Sequence, residues 1–147
     1  MNAARHTLRF ATPDDLPFAQ RLHAETYRAQ IEPLHGWDDH AEAERIARTF
    51  RPERTRILQR GGSDIGLLSM ETTAREIVVE NFSIAPDFQN RGLGSSILKA
   101  ILAAARDSGL PVVCVLNKTS RAQRLYDRLG FTPVEQTDTS VRLRWQP

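Results

Sequence analysis

Apolar and polar positions along the chain change period several times, and each change marks an element. Residues 6–11, HTLRFA, alternate as a strand does, and Thr12-Pro13-Asp14-Asp15 then supplies an N-cap, a proline for the first helical turn and acidic groups for its positive end. A helix is predicted from there to about Gln30, on a stripe of Leu16, Ala19, Leu22 and Tyr27. Pro33 and Gly36 read as a break, with a second helix from Asp38 to Phe50. Arg54 to Arg60 and Ile65 to Thr72 form two strands around the turn Gly61-Gly62-Ser63-Asp64, and Arg75 to Ile84 a third. At Leu93 the period becomes helical: Leu93, Ile97, Ile101 and Ala105, flanked by Leu98 and Leu102, share one face that ends at Ser108-Gly109. Pro111 to Leu116 is continuously apolar, as a central strand is. A helix from Ser120 to Leu129 and strands at Phe131–Glu135 and Ser140–Trp145 complete the order β-α-α-β-β-β-α-β-α-β-β, an α/β class chain.

Composition narrows the picture. A length of 147 residues suits a single domain over 1–147, and 40% hydrophobic with 26% charged residues is the balance of a globular chain. Twenty basic residues are scattered among eighteen acidic ones with no dense run of Lys and Arg, so the pI near 9.1 does not amount to a nucleic-acid footprint. Cys114 is alone, which rules out an intramolecular disulfide and makes a reducing, cytoplasmic setting the expectation. The N-terminal MNAARHTLRF lacks the apolar core of a signal peptide, and no apolar run reaches the ~20 residues that cross a bilayer. The histidines have no Cys or acidic partners at metal-ligand spacing, so no metal is expected.

Two segments carry candidate chemistry. In Asn81 to Ser95, NFSIAPDFQNRGLGS, a strand runs through Pro86 into a Gln-x-x-Gly-x-Gly turn that opens a helix. Gly92 and Gly94 remove Cβ atoms that would hold a ligand off the backbone, and the unpaired N–H groups of the first helical turn suit a phosphate. Ile97 stands where the dinucleotide fingerprint needs its third glycine, and Gly-Lys-Ser/Thr is absent, which argues against nicotinamide or nucleoside-triphosphate enzymes. The second segment is Arg121 to Phe131, RAQRLYDRLGF. There Ala122, Leu125, Tyr126 and Leu129 share a helix face, so Tyr126 also reads as a core tyrosine.

Together, I-x-P-x-x-Q-x-x-G-x-G followed by an apolar strand and A-x-x-L-Y-x-x-L-G-F resembles the GCN5-related N-acetyltransferases, over Leu8 to about Trp145. The resemblance implies a mixed, mostly antiparallel sheet splayed at a β-bulge, and direct acetyl transfer from acetyl-CoA to a primary amine without an acyl-enzyme. It implies that Gln89, Asn90, Arg91, Gly92, Leu93, Gly94 and Ser95 take the pyrophosphate, and that the pantetheine arm runs along Phe82, Ser83 and Ile84. Tyr126 matches the family tyrosine beside the thioester sulfur. A phenol, with an ordinary pKa near 10, is protonated at neutral pH and can donate to the leaving thiolate.

The proton from the attacking amine falls to Glu80, just before the expected bulge near Ile84, with Glu71 in reserve. The plain alternative for Glu80 is a carboxylate paired with an arginine. The chain departs from the family at two places. Cys114 replaces the fifth-strand glutamate of some protein N-terminal acetyltransferases, and Thr119 replaces the asparagine that often contacts the pantetheine arm, with Asn117 two residues earlier. His23, Tyr27 and Trp37 are candidates for the acceptor pocket, although His23 and Tyr27 also read as ordinary i, i+4 packing and Trp37 as a loop anchor. Edges near Phe131 and Val141 could pair two copies into a homodimer. The competing readings are a non-catalytic acyl-CoA-binding or regulatory module and a nucleic-acid binder held by surface arginines.

Overall fold

The computed structural model describes residues 6–147. Strand β1 (Thr7–Phe10) leads to helices α1 (Leu16–His35) and α2 (Asp39–Thr49), then strands β2 (Thr55–Arg60), β3 (Ser63–Thr72) and β4 (Ile77–Ile84). Helix α3 (Leu93–Ser108), strand β5 (Val112–Asn117), helix α4 (Gln123–Arg128) and strands β6 (Thr132–Gln136) and β7 (Ser140–Trp145) follow. The element order is the one the sequence pattern predicts. The strands form a seven-stranded sheet, β1-β2-β3-β4-β5-β7-β6, mixed and mostly antiparallel, with β4 and β5 parallel. By backbone proximity the chain divides into two compact units. Of the described residues, one comprises those up to Ser69 with Asn81–Leu93, the other Met70–Glu80 with Gly94–Pro147.

In the first unit, Thr12 caps a single 3₁₀ turn that feeds α1, and its own N–H bonds Asp15 Oδ2 at 2.8 Å. The same carboxylate receives the Arg9 guanidinium in a fork of 3.0 and 2.7 Å, and these bonds hold Asp15 below the usual carboxylate range. Helix α1 runs past the predicted end at Gln30 and through Pro33 to His35. It stops at Gly36, whose φ of 81° is left-handed and whose N–H returns to Glu32 O at 2.9 Å. Ala19, Leu22, Ile46, Ile57 and Leu67 make the core of this unit, with Leu16, Phe18 and Phe50 packed against them.

Gly66 on β3 sits at a close approach. A Cβ there would lie 2.7 Å from the Ser83 carbonyl oxygen and 3.0 Å from Leu58 Cδ2. One contact is backbone, so β4 itself has to move. Gly66→Ala is therefore expected to cost about 1–3 kcal/mol, read as a fall of several degrees in Tm by circular dichroism; an unchanged Tm would show that the strands shift freely.

In the second unit, the α3 face read from the sequence is buried: Ile97, Leu98, Ile101, Leu102 and Ala105 are each at most 8% exposed. It is accompanied in the core by Val112, Val113 and Cys114 of β5 and by Val141, Leu143 and Trp145 of β7. The Arg106 guanidinium lies 5.1 Å from the Trp145 ring centroid. Strand β7 pairs with β5 on one side and β6 on the other, so Val141 is an interior position and not the sheet edge expected of it. The edge is β6, exposed along its whole length. Among the described residues no helix is long and apolar enough to cross a membrane, and no cluster of His, Cys, Asp or Glu is arranged to hold a metal ion.

Candidate active site

In the first unit, the end of β4 and the turn behind it form one continuous structure. Ala85 N–H bonds Ile65 O at 2.7 Å, so residue 85 faces β3. By the two-residue alternation of a strand, Ser83 faces β3 as well, while the carbonyls of Phe82 and Ile84 face the opposite edge. A 3₁₀ turn at Pro86–Phe88 follows, and the Gln89 side chain folds back to donate from Nε2 to Ile84 O at 2.7 Å. Asn90 (φ 61°) and Gly92 (φ 82°) are both left-handed, and α3 starts at Leu93. Asn90, Arg91 and Gly92 are exposed, and a Cβ built on Gly92 would meet nothing within 4 Å. The turn is thus exposed and left-handed just where a helix begins, a geometry suited to a phosphate.

Helix α1 of this unit brings Tyr27 onto β4. Its hydroxyl lies 3.0 Å from Ser83 Oγ, 3.3 Å from Phe82 O and 3.4 Å from Asn81 Oδ1, and Ser83 Oγ is also 2.9 Å from Asn81 Oδ1. Burial pushes the Tyr27 phenol up, which keeps it a proton donor. His23, one turn earlier, packs its ring 5.3 Å from Tyr27 and 5.4 Å from Trp37, and Trp37 Nε1 donates to Asp39 Oδ1 at 2.7 Å. His23 Nε2 donates to Glu42 Oε1 at 2.8 Å in its Nε2–H form, and Arg45 Nη2, 3.1 Å from the same nitrogen, donates to Glu42 at 3.0 Å. Burial holds the His23 ring below its ordinary pKa, favouring the neutral form. Burial alone would raise Glu42, but its bonds from His23 and Arg45 keep it below the usual range. The three groups bolt α1 to α2. Trp37 thereby behaves as the loop anchor its position suggests.

In the second unit, the parallel ladder between β4 and β5 joins Ile77–Val79 to Val112–Cys114 and ends there. Both strands run on, β5 staying paired with β7 as far as Asn117. Glu80, the next residue of β4, is exposed, and Glu71 on β3 is half-buried. Tyr126 on α4 is 3% exposed, its ring edge-on to Phe131 at 5.0 Å and 83°. Asn117 closes β5 with its carbonyl bonded to Ser120 N–H at 2.9 Å, whereas Thr119 is exposed on the following turn. Cys114 is buried, and burial pushes its thiol up to about 12, which disfavours the thiolate a nucleophile needs.

Asn81, Asp39, Glu42 and Arg45 are members of these constellations absent from the sequence-based candidates. Asn81 and Ser83, a neutral polar pair two apart on β4, are the signal the sequence offers. Glu42 and Arg45 carried none, being ordinary charges on an amphipathic helix.

A strand, a glycine turn and a helix start in this order define a class, and the comparisons name it. Residues 51–133 match the model of the acetyltransferase (GNAT) domain, and the chain belongs to that family. The fold is similar to the PaiA N-acetyltransferase from Thermoplasma acidophilum solved in complex with coenzyme A, with a TM-score of 0.78 at 11% identity over 97% of this chain and 99% of that one. It is also similar to an acetyltransferase from Thermus thermophilus, with a TM-score of 0.76 at 20% identity over 100% of both chains. A third relative in structure is the ribosomal-protein-S18-alanine N-acetyltransferase from Escherichia coli, with a TM-score of 0.68 at 18% identity over 97% and 94%. No curated protein sequence matches the chain.

Proposed function

We propose that the chain is a single-domain, cytoplasmic N-acetyltransferase that moves an acetyl group from acetyl-CoA directly to a primary amine. The observation that carries this reading is the turn at Gln89–Ser95, left-handed at Asn90 and Gly92 and open above Gly92, at the start of α3. In this reading the diphosphate of the substrate lies on the backbone amides of that turn. Arg91 and the positive end of the helix add charge complementarity. The pantetheine arm lies along Phe82, Ser83 and Ile84, with Asn117 or Thr119 as a further hydrogen-bonding group.

In the chemistry assigned here, the exposed Glu80 carboxylate, directly or through water, takes the proton from the acceptor ammonium; Glu71 is the second choice. The free amine attacks the thioester carbonyl, the tetrahedral intermediate collapses, and Tyr126 donates its phenolic proton to the departing thiolate. An acyl-enzyme on Cys114 has no part, because the buried thiol holds its proton.

Isothermal titration calorimetry with coenzyme A, followed by a thiol-release assay across a panel of amines, tests the proposal. Binding with amine-dependent thiol release supports it. Binding with no release from any amine makes the chain an acyl-CoA-binding module, and absence of binding overturns the reading altogether.

A further inference from the structure

We infer that Tyr27 is a positioning residue for the thioester substrate, not a contact for the acceptor amine; this rests on the assignment of Phe82–Ile84 to the pantetheine arm. The edge of β4 opposite β3 offers two carbonyls, Phe82 O and Ile84 O, and each carries an internal side-chain donor. Ile84 O is bonded by Gln89, an exposed side chain. Phe82 O is bonded by Tyr27, which is held from several sides at once.

The proton count fixes how Tyr27 works. The Tyr27 and Ser83 hydroxyls have two protons between them, and three acceptors lie within reach: Phe82 O, Asn81 Oδ1 and the Tyr27 oxygen itself. Either Ser83 donates to Asn81 and Tyr27 to Phe82 O, or Ser83 donates to Tyr27 and Tyr27 passes its own proton to the strand. In both arrangements Tyr27 donates to Asn81 or Phe82 and none of the hydroxyls is idle. Three consecutive residues of β4 are tied to one rigid phenol whose ring is packed against His23. The tie leaves the second lone pair of Phe82 O and the outward N–H groups of Phe82 and Ile84 available to an extended amide ligand. A strand edge fixed before binding has less conformational freedom to lose when the ligand pairs with it. The same bonds occupy the Tyr27 hydroxyl, which is why it is a poor acceptor contact.

The test is Tyr27→Phe, which keeps the ring and removes the hydroxyl. At a temperature where both proteins are folded, its Kd for coenzyme A by calorimetry should rise about 2- to 10-fold, the worth of one or two net hydrogen bonds. In steady state the KM for acetyl-CoA should rise with little change in kcat or in the KM for the amine. Ser83→Ala, which removes the other hydroxyl, should shift Kd the same way. Ile46→Val, a core change elsewhere in the same unit, should lower Tm and leave Kd alone. Wild-type protein that fails to bind coenzyme A overturns the functional reading itself. Wild-type binding with an unchanged Kd in both hydroxyl variants, or a rise confined to the KM for the amine, overturns the role given to Tyr27.

Discussion

Tyr126→Phe is expected to lower kcat about 100-fold while leaving the affinity for coenzyme A within about twofold of wild type. The substitution is close to isosteric. The ring keeps its edge-on contact with Phe131 at 5.0 Å, and the backbone bond from Phe131 N–H to Tyr126 O at 3.0 Å is untouched. The loss therefore falls on what the hydroxyl does alone, which in the proposed chemistry is protonation of the leaving thiolate. A thiolate can depart unprotonated in water, so some rate should survive. The effect should also shrink with acyl donors whose thiols are more acidic than coenzyme A, because a better leaving group needs less help from an acid. Thiol-release kinetics with two such donors measures both points. A kcat within threefold of wild type would remove Tyr126 from the mechanism and return it to the core, where its 3% exposure already places its ring.

How far the sequence revealed this molecule depended on the range of the interactions involved. Helix α3 was legible to the residue, because Leu93, Ile97, Leu98, Ile101, Leu102 and Ala105 repeat at the helical period and nothing polar interrupts them. The glycine turn was legible for a similar reason, since the backbone angles at Gly92 are a local property. The pattern ends α1 at about Gln30, ahead of Pro33, whereas the helix continues to His35. Proline costs a helix its interior hydrogen bond and crowds the turn before it, but near the C-terminus the helix has only one more turn to complete. Gly36, with its left-handed φ and its bond to Glu32, supplied the real stop. What stayed out of reach was long-range. Tyr27 finds Asn81, Phe82 and Ser83 across 54 to 56 residues of sequence. Its period placed it on the buried stripe of α1, but nothing local says which strand a tyrosine hydroxyl will meet. Likewise β7 and β6 looked equivalent as terminal strands, and only the pairing of β5 with β7 makes β6 the edge.

The Gly92→Val variant should lose coenzyme A affinity by about 100-fold or more. Two effects combine. A β-branched residue at a φ of 82° is strained by about 1–3 kcal/mol, which the turn relieves by moving its amides out of line. The new side chain also projects into the open space above the turn, where the diphosphate is assigned. Strain alone would give the first effect anywhere in the chain, so a control is needed, and Gly62 provides it. It has the same φ of 82°, equally open space around it, and a place in the hairpin between β2 and β3 with no assigned ligand. Gly62→Val should lower Tm as Gly92→Val does, with coenzyme A binding intact. The pair of calorimetric titrations then separates backbone strain from phosphate recognition. Equal affinities for the two variants would mean that the turn at Gln89–Ser95 does not hold the diphosphate, and the observation that carries the functional reading would fall with it.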